Sequence, residues 1–164
     1  RKDPLELNPN LIISKENNFF DLGLDVLEEL VEDAVFLCGN EEIETANENV
    51  EKFLISGKYP SGNSSAHIYK ICPIRKSKKT WTISWQDVIR IGKYISTKSY
   101  CFDKYVSVTG SACVEPKLLK TVSGASLTEL TAGNTNKESR LISGSALYGT
   151  SGDSYTSYLY PIIK

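Results

Sequence analysis

Four blocks decide how this chain folds: Trp81-Thr-Ile-Ser-Trp-Gln-Asp-Val-Ile89, Val106-Ser-Val-Thr-Gly-Ser-Ala-Cys-Val-Glu-Pro116, Gly124-Ala-Ser-Leu-Thr-Glu-Leu130 and Arg140-Leu-Ile-Ser-Gly-Ser-Ala-Leu-Tyr-Gly-Thr150. Trp85, Val88, Ile89, Gly92 and Ile95 recur at helical spacing, and Tyr105, Ser107 and Thr109 alternate with Val106 and Val108 as a strand does. A second strand is expected from Leu118 to Val122, after Pro116. Ser126 followed by Glu129 matches a capping box, in which hydroxyl and carboxylate satisfy backbone donors at a helix start. A short helix should therefore run through Leu130 and end at Ala132-Gly133. Arg140 to Ile142 and a Tyr-rich strand near Tyr155 to Ile163 complete the set. Two strands, a short helix and later strands form a β-grasp-like order, a small β module of ligand-binding type.

Upstream the pattern is different. Phe20, Leu24, Leu27 and Val31 share one helix face, with Asp25, Glu28, Glu29, Glu32 and Asp33 on the other. Ala34-Val-Phe-Leu-Cys-Gly39 is a short apolar run closed by glycine, which suits a strand buried on both faces. Thr45-Ala-Asn-Glu48 matches a second capping box and predicts a helix through Val50, Phe53 and Leu54. Helix, strand, helix is the α/β crossover order, and the Gly and Pro content of Ser56 to Asn63 makes that stretch a loop. The reading is an α/β chain, α+β overall, with an α/β domain over 1–80 and a β-grasp domain over 81–164.

The 164 residues have room for one moderate core or two small ones. Apolar residues make up 40% and charged residues 24%, as in ordinary globular proteins, and no apolar run approaches the roughly 18 residues of a membrane helix. No secretory signal pattern opens the chain. Methionine is absent, Arg1 stands inside what reads as an ordinary element, and Tyr158 to Lys164 looks like a strand cut short, so a piece of a longer protein is expected. Residues 1–60 hold fourteen acidic and five basic side chains, and residues 61–164 hold six and fourteen. Such a split can draw two domains together or leave a basic face for an acidic partner or an anionic membrane. It also describes two solvated surfaces of different composition.

No catalytic set can be assembled. Cys38, Cys72, Cys101 and Cys113 stand far apart without zinc or iron–sulfur spacing, and read as small buried hydrophobes or bystanders. Gly144 to Gly152 lacks the lysine of a phosphate loop, with Thr150 in its place, and is expected to be a strand-end turn. His67, the only histidine, is expected to be packed or hydrogen-bonded rather than a base. The acidic residues on helix faces are expected to be solvated. Arg75, Lys76, Lys78 and Lys79 form the densest cationic run, a solvated loop or a surface for a partner or lipid. Without interleaved aromatics it does not read as a nucleic-acid site. Trp81 and Trp85 could stack a flat ligand or bury area in a core.

With these residues in view, the chain resembles the A subunits of the bacterial sodium-translocating NADH:quinone reductases. The likeness covers nearly all of it and is strongest in Trp81 to Lys93, Tyr105 to Gly110, Gly124 to Leu130 and Arg140 to Thr150. Pro4 to Ile13 and Gly57-Lys-Tyr-Pro-Ser-Gly62 are also similar, more loosely, to the flavin-bearing subunit of respiratory complex I. The resemblance implies the tail of a Rossmann-like α/β domain followed by a β-grasp, soluble-ligand-binding domain. It further implies a peripheral, cofactor-free subunit on the cytoplasmic side of the bacterial inner membrane, attached through partner subunits. The whole complex would oxidise NADH with flavins and an iron–sulfur cluster, reduce ubiquinone and export sodium, and this part would contribute scaffolding and quinone-side interaction.

Two departures stand out. Lys104, Lys117 and Lys120 occupy positions near the β-grasp strands where the family tends to carry arginine, and lysine lacks the planar fork that grips a carboxylate bidentately. The family's Gly-Thr-His-x-His run reads Ser65-Ala-His-Ile-Tyr69, so no second-histidine role transfers to Tyr69. The alternative to a component of a redox pump is a stand-alone β-grasp module binding a quinone, a cobalamin or a glycan.

Overall fold

The computed structural model describes residues 5–58, 60–73, 79–135, 139–147, 149–152 and 157–160. Among them are five helices and six strands: α1 (Asn10–Ile13), α2 (Asn17–Leu30), β1 (Phe36–Gly39), β2 (Glu51–Leu54), α3 (Ser64–Ile71), α4 (Trp85–Thr97), β3 (Asp103–Val108), β4 (Lys117–Val122), α5 (Leu127–Thr131), β5 (Leu141–Ser143) and β6 (Thr150–Gly152). The fold is mixed α/β with small sheets. Two compact units divide it, one over 1–2 and 8–101 and the other over 3–7 and 102–164.

The first unit is organised by α2 and α4. Their apolar stripes place Phe20, Leu24, Val88 and Ile89 in the interior, with Ile12, Ile13 and Val50. The helices can come this close because each presents a glycine at the contact. A Cβ on Gly23 would lie 2.1 Å from the Val88 carbonyl oxygen, and one on Gly92 would lie 1.8 Å from that of Phe19. Either distance is far inside van der Waals contact, so any side chain would force the helices apart. Lys93 adds a 2.8 Å ion pair to Glu16 and lies over the Phe19 ring, 5.5 Å from its centroid. Ser84 caps α4, accepting a hydrogen bond from the Asp87 N–H.

The expected line at 80/81 and the observed division at 101/102 differ because α4 packs on α2. The charge split at 60/61 likewise falls inside the first unit, which carries thirteen acidic and thirteen basic residues, while the second carries seven and six. Each unit is nearly neutral, so the asymmetry lies between two stretches of one unit.

Two expectations for this unit are corrected. The helix predicted from Thr45 is absent: 51–54 form β2, parallel to β1 with Phe36 opposite Glu51 and Gly39 opposite Leu54. The Thr45 hydroxyl donates to Asp21 and accepts from the Asn47 N–H, so it builds a turn instead of a cap. Cross-strand contact then decides the matter, with the Phe36 and Phe53 rings meeting edge-on at 5.8 Å. Strand β1 exists as expected but is only half-buried along its length. Helix α3 stands where the sequence pattern gives no signal.

The second unit follows its prediction more closely. Strands β3 and β4 pair antiparallel with Asp103 opposite Val122. Ser126 caps α5 by accepting from the Glu129 N–H, and Gly133, at φ 68°, turns the chain just beyond it. Strands β5 and β6 form a second antiparallel pair; the glycine-rich stretch begins as the expected strand-end turn, with Gly144 at φ 100° just after β5, while its end, 150–152, is a strand. Of the Tyr-rich terminal strand, 153–156 and 161–164 lie outside the described residues, and Tyr158 makes a single bridge to Ser126.

Candidate functional site

The extended stretch ahead of α4 carries the residues singled out from sequence. Trp81 is 87% exposed and Ile83 is exposed beside it; Lys79 is exposed, and Trp85, the first residue of α4, is half-buried. Arg75, Lys76 and Lys78 lie outside the described residues. The two tryptophans therefore play different parts, Trp85 as a packed helix residue and Trp81 as an indole offered to whatever meets this segment.

A separate depression of about 510 Å³ is lined by Glu28, Glu29, Val31, Asp33, Ala34, Val35 and Asn49. None of the sequence site candidates lines it, and its polar lining is three carboxylates and one amide. Sequence reasoning missed it because it forms where the end of α2 meets the start of β1 and the turn before β2, a meeting that no local pattern encodes. Among the described residues, no group of three or more His, Cys, Asp or Glu side chains is placed to hold a metal ion.

The acidic face of α2 is more than a solvated surface. Asn47, almost fully buried, donates to Asp25 at 2.8 Å and to Glu28 at 2.9 Å. The Ala46 N–H and the Thr45 hydroxyl reach Asp21. One turn apart on the helix, these carboxylates hold the loop that leads into β2, through hydrogen bonds strengthened by their charge.

His67 is hydrogen-bonded through Nε2 to the Ser61 backbone carbonyl oxygen at 2.9 Å. The four cysteines are unpaired and half-buried, and burial pushes the Cys38 thiol above its ordinary pKa. In the second unit Lys104 is buried and donates to the Tyr160 carbonyl. Lys120 pairs with Asp103 across the strands at 2.7 Å, and Lys117 with Glu115 at 3.5 Å. These lysines make local contacts for which one ammonium suffices.

The family model of the NqrA second alpha/beta domain matches residues 1–100, and that of the NQRA C-terminal domain matches 105–153. The chain belongs to the NqrA family. The junction between the two NqrA matches falls within a few residues of the division between the compact units. Curated relatives are named as the A subunit of Na(+)-translocating NADH-quinone reductase. The one from Saccharophagus degradans is 40% identical over 161 residues, covering 96% of this chain and 36% of that protein. The Vibrio vulnificus relative is 36% identical over 160 residues, with the same coverage, and the Yersinia pestis relative is 38% identical over 160 residues, covering 95% and 36%. The chain thus spans about a third of the length of these NqrA relatives.

Proposed function

We propose that this chain is an internal part of an NqrA polypeptide in a sodium-translocating NADH:quinone reductase and acts there as a scaffold on the quinone side. The observation that carries the reading is the order of the two family matches, one to each compact unit. The first unit is read as part of a Rossmann-like α/β domain and the second as part of a β-grasp, soluble-ligand-binding domain. Support comes from the parallel β1–β2 pair in the one and the cap-led α5 between antiparallel pairs in the other.

In this reading NADH oxidation, with its flavins and iron–sulfur cluster, belongs to the other subunits, which are also the partners of this one. Among the described residues no helix is long and apolar enough to cross a membrane, and attachment to the cytoplasmic face of the inner membrane would run through those partners. Lys79 and 81–83, which are exposed, supply a docking surface, to which the cationic residues just before them in the sequence would add charge.

The test is reassembly. Full-length NqrA carrying this chain, combined with a complex stripped of its own NqrA, should restore NADH-driven quinone reduction and sodium transport. A polypeptide that folds and still restores neither assembly nor turnover would overturn the reading. Raised ionic strength should weaken reassembly through the cationic run; unchanged assembly would remove that electrostatic part. Trp81 gives an independent readout, because a quinone headgroup bound nearby quenches an exposed indole, and a flat titration speaks against quinone contact at this segment.

A further inference from the structure

From Lys52 to Gln86 the chain carries seven cationic side chains, six of them lysine, and no carboxylate. The first unit holds thirteen cations in all, so more than half of them fall in this one stretch. The same stretch holds Trp81 and Tyr69, 87% and 78% exposed, which are the two most exposed of the large apolar and aromatic side chains among the described residues. Lys70, beside Tyr69 in the last turn of α3, is exposed, as are Lys79 and Ile83 on either side of Trp81. Helix α3 buries none of its residues. Six peptide units join Pro73 to Lys79, a reach of at most roughly 22 Å, which keeps both aromatic ends within the footprint of one planar partner.

An indole and a phenol left in water next to lysines and free of acids match the chemistry of a bilayer surface. Their rings settle at the level of the lipid headgroups, apolar body inward and polar tip outward, while lysine lays its methylene stem along the apolar layer and keeps its ammonium among the anionic groups. The choice of cation separates lipid from protein. Protein interfaces are enriched in arginine and poor in lysine, because a planar guanidinium grips a carboxylate bidentately. Six lysines to one arginine supply point charges on flexible stems, which suit headgroups that are themselves mobile.

We infer that the surface formed by Tyr69, Lys70, Lys79, Trp81 and Ile83 docks directly on anionic lipid, so that this chain touches the bilayer itself in addition to its attachment through partner subunits. Arg75, Lys76 and Lys78, outside the described residues, stand between these positions in the sequence and raise its charge. The inference rests on the NqrA reading given above, which brings the chain to a membrane complex, and names the occupant of the docking surface proposed there.

Full-length NqrA mixed with sedimenting vesicles tests it, with phosphatidylcholine alone compared against phosphatidylcholine containing phosphatidylglycerol. Binding should need the anionic lipid and fall as salt is raised. Lys70→Gln with Lys79→Gln should weaken it about 25-fold, about fivefold for each ammonium near the surface. The part of the tryptophan emission that Trp81→Phe removes should be quenched by brominated lipid in the anionic vesicles. No binding to anionic vesicles at low salt would overturn the inference, as would binding that the double lysine variant leaves unchanged while Trp81 stays unquenched. Vesicles ignored by a protein whose assembly with its partner subunits is lost in the lysine variant would replace lipid by an acidic partner. A full-length polypeptide that restores quinone reduction yet ignores anionic vesicles sinks this inference alone; one that binds them and restores nothing sinks the functional reading and leaves the lipid surface standing.

Discussion

The two units are held together by different means. Among the described residues of the first, seven apolar side chains are buried, Phe20 and Leu24 among them, and two helices touch at glycines. In the second, the buried apolar residues among those described are Leu127 and Leu159, beside the polar Lys104, Asn134, Ser143, Ser145 and Ser157. Hydrogen bonds take up the difference. Asn134 accepts from the Glu115 N–H at 3.0 Å, and its amide donates to the Glu115 carbonyl at 2.8 Å and to Cys113 Sγ at 3.3 Å. Leu127 and Leu159 are fixed by backbone bonds to the Ser157 and Ala125 carbonyls. A unit stabilised by packing fails when shape changes; one stabilised by polar pairing fails when a donor or acceptor loses its partner.

The sharpest way to break the contrast is at the helix crossing. Gly92→Ala should destabilise the first unit by more than about 3 kcal/mol, at the upper end of overpacking costs. Unfolding followed by Trp85 fluorescence in a Trp81→Phe background should shift to lower denaturant, while signals from the second unit hold their midpoint. A midpoint that stays put would mean the helices do not meet at that glycine. Asn134→Ala should cost about 2 kcal/mol, because it leaves the Glu115 N–H and carbonyl without partners. Thermal unfolding of the second unit reads that loss, and a neutral result would show that water replaces the amide freely. Ser126→Ala should cost about 1 kcal/mol through the lost α5 cap, visible as faster amide exchange in Leu127–Thr131.

The smallest effect concerns Cys38. Burial raises its pKa, so the neutral thiol is the form the fold favours. Its contribution to stability is present below the unfolded-state pKa and is lost as pH rises through the higher folded value. Its alkylation should continue to accelerate at alkaline pH after an ordinary thiol has levelled off. A rate that levels where a free thiol does would remove the shift.

Much of this is legible in the chain. The stripes of α2 and α4 and the Ser126 cap are local patterns, and they predict elements close to those observed. The Thr45 capping box fails because its hydroxyl and the loop behind it find carboxylates on α2, about twenty residues away in sequence. Helix α3 carries no buried residue and so leaves no apolar stripe to read. The depression at the end of α2 and the pairing of Lys120 with Asp103 are illegible for a related reason, since each depends on which distant segment arrives alongside.

By itself the sequence determined the family, the helices with strong apolar periodicity, the β3–β4 pair and the lack of any recognisable catalytic motif, because these follow from residues close together along the chain. Only the tertiary structure decided that 85–97 packs on α2, that the acidic face of α2 grips a loop, and that Trp81 stands open while Trp85 is packed. These are matters of contact between distant segments, where packing and hydrogen-bond geometry outweigh local propensity.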